Sequence, residues 1–534
     1  MRLWALTKGL PGWKNALLAL LSAVLLILAF PDFDYWFLAW FALVPLMWAV
    51  EREKESTSRS CVLGWIFGTA FFFGTCWWLT YAPITYAAFP PILAYFLLFC
   101  VCLVAGLFPA AFAAILSVLL RRFGSLAFLA APFVWVFTEF LRYWITGNNW
   151  NALAYSQAFT DEPWFLLGLK AILPVAAIGG TALLGWVLCL SSSVFALAVL
   201  GGRRGTYPLI GFVLLSFGWA YYSVYSFTYI DRIANHGPDT NIYILAIQPN
   251  VPMSGLTQEK WAELRQRHDA LAQSALADLK RMRGSRLAPP LVIFPESPMN
   301  FMYETDPETR QFIDGFARSN NVSVLFNSAE PDPKNGKFFN SAVMVGPQGG
   351  EVAQYDKIYL LPFGEAVPFP LEGLLPGFVG NFSYGKEYDL LPLGDAKAGV
   401  MICFESHFGQ LSREYVRNGA DAIIEMTNDG YLGPTPVLRQ HLANAVFRAV
   451  ETNRPVLRVT NVGITAYINE RGEVLDPAQP YTEDTRVWSV AKSDGSQTFY
   501  VRYGDWFAWL CTVITIGLIG FAAFWRPKRV ESTV

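Results

Sequence analysis

Two hydrophobic patterns divide the chain. Apolar residues run almost without interruption from Asn15 to about residue 227, and again from Trp506 to about 525; the block between them alternates apolar and polar positions. A hydrocarbon core about 30 Å thick needs roughly 20 apolar helical residues. That length rule predicts eight transmembrane spans, at 15–31, 35–50, 61–80, 91–120, 126–146, 172–200, 207–227 and 506–525. The first, preceded by Lys8 and Lys14, has the size of a signal peptide. Leu28-Ala29-Phe30-Pro31 lacks a small-x-small cleavage pattern and another span follows at once, so it is expected to be retained.

Basic residues set the expected orientation. Arg2, Lys8 and Lys14 precede the first span, Arg52, Lys54 and Arg59 fill the loop between the second and third, and the pairs Arg121-Arg122 and Arg203-Arg204 follow later spans. Arg526, Lys528 and Arg529 close the chain, and with eight spans all of these lie on one side. The opposite loops 31–34 and 82–90 carry neither Lys nor Arg, as the positive-inside rule requires of an outer face. Both termini are therefore expected in the cytoplasm and residues 228–505 outside.

The block at 228–505 predicts a domain of its own. Strands are expected at 241–248, 291–295, 322–327, 339–345, 399–403, 422–425 and 456–460, helices at 258–283, 307–320, 409–418 and 435–452, and a hairpin turn at 469–472. About 270 residues in such alternation suffice to bury one full core. The predicted organisation is thus 1–227 with seven spans, 228–505 extracytoplasmic and catalytic, and 506–534 with the eighth span and a tail.

Composition agrees with the pattern. Of 534 residues, 54% are hydrophobic and 16% aromatic against 15% charged, too apolar for an ordinary cytosolic enzyme. The net charge of −2, with no basic arm, points away from nucleic acid.

Cys403 is the sole cysteine of the middle block, in Ala398-Gly399-Val400-Met401-Ile402-Cys403-Phe404-Glu405-Ser406; Cys61, Cys76, Cys100, Cys102, Cys189 and Cys511 lie in apolar segments. A lone thiol at a strand end is either an inert core residue or a nucleophile. Two other strand ends carry ionisable groups: Leu291-Val292-Ile293-Phe294-Pro295-Glu296, and Tyr355-Asp356-Lys357 ahead of Leu361-Pro362-Phe363-Gly364-Glu365. Open α/β sheets place their chemistry at such ends. A thiol with an ordinary pKa of about 8.5 needs a base and a nearby cation to act at neutral pH, roles that fit Glu296 and Lys357.

This Glu, Lys and Cys set, in this order, resembles the nitrilase superfamily, and the resemblance implies an αββα sandwich. Eight spans around an outward-facing domain of that type are similar to its membrane-embedded branch, the apolipoprotein N-acyltransferases. Pro362-Phe363-Gly364-Glu365-Ala366-Val367-Pro368, Asn428-Asp429-Gly430, Arg448-Ala449-Val450-Glu451 and Thr460-Asn461-Val462-Gly463-Ile464-Thr465-Ala466 match further. The resemblance implies Glu296 as base, Lys357 as oxyanion partner, Cys403 as nucleophile, and Glu365 and Glu405 as supporting carboxylates. It also implies a phospholipid acyl donor, a diacylglyceryl apolipoprotein acceptor, a thioester intermediate, no metal or other cofactor, and residence in the bacterial inner membrane with the active site facing the periplasm. A monomer is the default expectation. Tyr431 stands where the family usually has Trp and Phe404 where Tyr is common, which bears on acyl-chain packing.

Several features also admit plainer readings. Glu405 fits a surface cap and Glu365 a turn residue. His236, His268, His407 and His441 are scattered without ligand spacing, against a zinc site or a Cys/His dyad, and His407 is expected in solvent. Residues 380–386 mimic a phosphate loop, but Glu387 replaces the required hydroxyl residue, and a plain loop is expected. Glu139 and Arg142, at i, i+3 spacing, suit an intrahelical ion pair or a contact with a lipid headgroup or the outer domain. Leu371, Leu374, Leu375, Phe378 and Val379 in the loop 369–382 suggest a lid entering the outer leaflet; unchanged kinetics after replacing Leu374, Leu375 and Phe378 with Ser would sink that idea. Three function classes follow: lipid-to-amine acyl transfer, a membrane-anchored amidase hydrolysing a small amide, and a non-catalytic scaffold. Eight spans speak against the second and the filled triad against the third.

Overall fold

A computed structural model of the protein describes residues 9–160, 172–200, 206–208, 210–211, 218, 242–283, 289–299, 301–362, 364–367 and 382–524. The chain forms two compact units, Met1–Ile230 with Asp505–Val534, and Asp231–Gly504.

The first unit is helical: α1 (Trp13–Leu28), α2 (Val44–Arg52), α3 (Thr57–Thr75), α4 (Tyr81–Thr85), α5 (Pro91–Ala105), α6 (Leu107–Phe123), α7 (Ala131–Thr146), α8 (Ala176–Leu200) and, from the chain's end, α14 (Trp506–Phe524). Local signals bound them. The Ser56 hydroxyl accepts from the Arg59 amide at the start of α3, Pro occupies the first turn of α5 and α7, and Gly147 ends α7 in the left-handed conformation that glycine adopts at least cost. In α3, Gly64 and Gly68 share one face, and a Cβ on either would collide with Pro109 or its neighbours in α6. Apolar helices associate in lipid by such close backbone approach, because burial alone gains nothing there.

Pro91–Thr146, Leu173–Leu200 and Trp506–Phe524 are long and apolar enough to cross a membrane, and Thr57–Thr75 with Trp77–Thr85, bent by 61°, adds a fourth candidate. At 1.5 Å per residue, the 56 residues of Pro91–Thr146 are more than a single crossing needs. Residues 35–50 depart from expectation: they form a 3₁₀ turn (Trp36–Trp40) and the nine-residue α2 rather than one continuous helix. Pro45 lies in the first turn of α2 and Asp34 has a positive φ, features that start helices or interrupt them. The expected span at 207–227 and the expected lid loop at 369–382 lie almost wholly outside the described residues. Glu139 and Arg142 both turn to the loop after α7. Glu139 accepts from the Leu153 amide at 2.9 Å, and Arg142 donates to the Trp150 carbonyl and to Asn149 Oδ1 over the Phe72 ring. They hold that loop inside the helical unit, a structural role, with partners that i, i+3 spacing did not suggest.

The second unit is a four-layer αββα sandwich. One sheet runs β13-β1-β2-β3-β4-β5, with β6 beside β4; the other runs β12-β11-β10-β9-β8-β7. The strands are β1 (Ile242–Gln248), β2 (Leu291–Ile293), β3 (Ser323–Pro331), β4 (Phe338–Val345), β5 (Glu351–Asp356), β6 (Phe382–Ser383), β7 (Leu390–Leu393), β8 (Ala396–Ile402), β9 (Ala422–Thr427), β10 (Val456–Thr460), β11 (Ala466–Ile468), β12 (Val474–Leu475) and β13 (Asp484–Val490). Helices α9 (Gln258–Arg283) and α10 (Pro307–Asn320) cover the first sheet, α11 (Gly409–Arg417) and α12 (Val437–Thr452) the second, and a short α13 (Phe499–Tyr503) packs on both of the latter. β1, β2 and β3 are mutually parallel, as are β8, β9 and β10. Both runs are buried on two faces, so they read as continuous apolar stretches and were legible in the sequence. The segment at 380–386, expected to be a loop, contributes Phe382–Ser383 to the first sheet.

Candidate active site

Glu296, Lys357 and Cys403 all stand just beyond strand ends, and the αββα packing converges them. Phe294 continues the sheet beyond β2 by donating to Leu325 O at 2.9 Å, and Pro295 then leads to Glu296. Lys357 follows β5, its amide bound to Asn340 O at 2.9 Å. Cys403 follows β8 and begins a 3₁₀ turn, Cys403–His407, with φ at +53°. A non-glycine residue in that region is strained, and the surroundings must hold it there. Gly399, four residues earlier in β8, is needed because the Tyr415 ring lies where its Cβ would be.

Lys357 is 1% exposed, and a buried ammonium demands a counter-charge. Both oxygens of Glu365 supply it at 2.8 Å. Burial opposes the charge on Lys357, yet Glu365 and Glu296 outweigh it and raise its pKa. Asn340 donates to both carboxylates, at 2.6 Å to Glu365 Oε1 and 3.4 Å to Glu296 Oε1, while Glu296 Oε2 accepts from the Asn428 amide at 3.1 Å. Burial lifts the Glu296 carboxyl above the usual carboxylate range; Lys357 pulls it down and Glu365 pushes it up. The Cys403 thiol feels the charges of both Glu296 and Lys357. Burial, then the Glu296 charge, push that thiol well above its ordinary value despite Lys357. A resting thiol beside a carboxylate of raised pKa is poised to lose its proton only as it attacks.

Glu405 is fully buried, so the surface-cap reading is corrected. Its Oε1 accepts from Tyr355 Oη at 2.7 Å, Ile358 N at 2.8 Å and Tyr359 N at 3.0 Å, and its Oε2 from Ile402 N at 2.9 Å. One carboxylate thus ties the Lys357 loop to the Cys403 turn, and burial pushes it up to about 7. Glu365 touches Lys357 directly and also accepts from the Leu361 amide at 2.7 Å, closing the Pro/Gly turn.

His407, expected in solvent, is 4% exposed and stacks on Phe404 with ring centroids 5.6 Å apart. The apolar wall formed by Phe404 and Phe408 draws the ring inward. Tyr431 is 54% exposed. Three side chains escaped sequence reasoning. Asn340 stood out only as an amide within the apolar run Phe338–Val345. Tyr355 and His441 carried no local signal, and His441 lies in α12 with its Nε2 3.1 Å from the Cys403 carbonyl.

Residues 250–498 match the carbon-nitrogen hydrolase family, and residues 22–194 match the apolipoprotein N-acyltransferase N-terminal domain. An apolipoprotein N-acyltransferase of Geobacter metallireducens is 30% identical over 532 residues, covering 96% of each chain. One from Allorhizobium ampelinum is 31% identical over 512 residues and covers 89% of each. The chain belongs to the apolipoprotein N-acyltransferase family. Among solved structures, an amidase from Nesterenkonia sp. aligns at 17% identity and a TM-score of 0.35, covering 51% of this chain and 96% of its own. A nitrilase-superfamily member from Saccharomyces cerevisiae aligns at 18% identity and 0.34, covering 47% and 90%. Family membership makes this chain a membrane-bound acyltransferase with a nitrilase-like domain.

Proposed function

We propose that the protein moves an acyl chain from a phospholipid to the N-terminal amine of a diacylglyceryl apolipoprotein, with Cys403 as nucleophile, Glu296 as general base and acid, and Lys357 as oxyanion partner. The observation that carries this reading is the convergence of those three side chains in a chain of this family. Glu296 takes the Cys403 proton as sulfur attacks the ester carbonyl, and the buried Lys357 ammonium stabilises the negative oxygen that forms. Collapse breaks the C–O bond to glycerol. Glu296 returns the proton to that oxygen, and lysophospholipid leaves a thioester on Cys403. The acceptor amine then attacks the thioester, Glu296 accepts its proton, and amide formation returns the thiol.

Both substrates keep their tails in a bilayer, which gives the apolar helices a purpose that hydrolysis of a small soluble amide would not. In this reading the first unit is a multi-pass anchor of the bacterial inner membrane with eight spans, residues 228–505 face the periplasm, and the protein acts as a monomer. Intact-mass measurement of purified protein with phospholipid tests the chemistry. Wild type gains one acyl mass, Cys403→Ala gains none, and a diacylated lipopeptide with an open amine discharges the adduct. Turnover of a soluble amide without any acyl adduct would instead favour the hydrolase.

A further inference from the structure

Beneath the nucleophile lies a quartet of buried ionisable side chains that the acyl-transfer chemistry above does not use. Arg458 and Glu425 are 0% exposed, Asp429 2% and His441 4%. Arg458 bridges the two carboxylates, with Nη1 2.5 Å from Glu425 Oε1 and Nη2 2.8 Å from Asp429 Oδ2. His441 reaches both as well: Nδ1 is 2.7 Å from Asp429 Oδ1, and Nε2 is 3.3 Å from Glu425 Oε1 and 3.1 Å from the Cys403 carbonyl oxygen. Asp429 is held there by Thr427 at 3.3 Å and by Gly463, where any Cβ would meet its Oδ2. Burial opposes its charge, but Arg458 and His441 prevail and lower its pKa.

Each of these partners of the imidazole is an acceptor, and both ring nitrogens can donate only in the imidazolium form. Charge balance argues the same way. Glu425 and Asp429 bring two negative charges against the single positive charge of Arg458, and a neutral His441 would leave one buried charge uncompensated.

We infer that His441 is a buried imidazolium that positions Cys403: Nε2–H holds the Cys403 carbonyl in its left-handed turn, and its charge favours the thiolate as Cys403 gives up its proton. The Ser406 hydroxyl reaches the same carbonyl at a weaker 3.4 Å, so His441 is the principal donor. His441 acts through Cys403 and is a positioning residue. The inference rests on Cys403 being the nucleophile.

Its test needs no lipid. Full-length wild type, His441→Gln and His441→Leu in detergent micelles are treated with iodoacetamide between about pH 6 and pH 9, and Cys403 modification is followed by peptide mass mapping. Gln keeps a donor for the carbonyl and lacks the charge. Its alkylation at pH 7 falls about tenfold and the profile moves to higher pH, while melting stays within a few degrees of wild type. Leu lacks both and is slower still. A folded Gln variant with unchanged rate and profile would overturn the inference. If neither variant accumulates folded, His441→Asn, which also lacks the charge, must slow alkylation in the same direction; an unchanged rate there overturns the inference equally. A wild type that alkylates in this way yet never takes an acyl chain would sink the acyl-transfer reading and leave His441 in place.

Discussion

Glu365 and Glu405 are both carboxylates near Lys357, and their contacts assign them different work. Glu365 shares Lys357 with Glu296, so its charge keeps Glu296 from being neutralised by a single close cation. Glu365→Gln is expected to leave Lys357 to Glu296 alone, lowering the Glu296 pKa and weakening it as a base. Acyl-adduct formation should fall about 10- to 100-fold while the acid limb of its pH profile moves to lower pH, a shift read by single-turnover mass spectrometry. Glu405 accepts four hydrogen bonds, and an amide in its place would turn a donor toward other donors. Glu405→Gln should therefore cost about 1–3 kcal/mol of stability. Because burial raises the folded pKa to about 7 from an ordinary 4.5, the folded state binds the extra proton. The contribution of the protonated Glu405 carboxyl is full below about pH 4.5 and lost as pH rises through about 7. The melting advantage of wild type over Glu405→Gln should shrink across that window. The lone Cys403 announced itself in the sequence, as did Glu296 and Lys357 at strand ends. His441 did not, because its partner Cys403 is 38 residues away and helix α12 carries no motif that points at it.

At the scale of elements, continuous apolar stretches and helical periodicity marked α9 and α10 to the residue and strand β10 likewise. β13 was missed. Its first residues, Asp484-Thr485-Arg486, are polar, and it becomes a strand by pairing antiparallel with β1 along its whole length, from Ile242 opposite Val490 to Gln248 opposite Asp484. Two-residue strands such as β6 and β12 are too short to show any period. In the helical unit, the Gly64 and Gly68 face of α3 predicts that Gly64→Leu cannot be absorbed, since the colliding atoms are the backbone of Pro109 and Ala110. A loss of about 1–3 kcal/mol or outright misassembly is expected, read as a lower melting temperature in detergent or loss of the folded fraction.

For the whole molecule, the proposed topology makes a labelling prediction. In inverted or right-side-out vesicles and a background without reactive thiols, Asp395→Cys, exposed in the second unit, and Glu55→Cys, exposed between α2 and α3, should react with a membrane-impermeant maleimide from opposite sides. Labelling of both from one side would refute an outward-facing catalytic domain. Hydrophobic period and length by themselves determined that this chain is helical and apolar at both ends, with an α/β domain between, and strand ends marked the three side chains of the proposed triad, because each of these signals is local. Tertiary structure decided the rest. It brought Asn340 between two carboxylates, buried Glu405 and His407, and set His441 of α12, Glu425 of β9, Arg458 of β10 and Asp429 of the turn after β9 under Cys403. Those outcomes depend on which distant strands pair and what each buried charge must find as a partner, and neither is written in any short stretch of sequence.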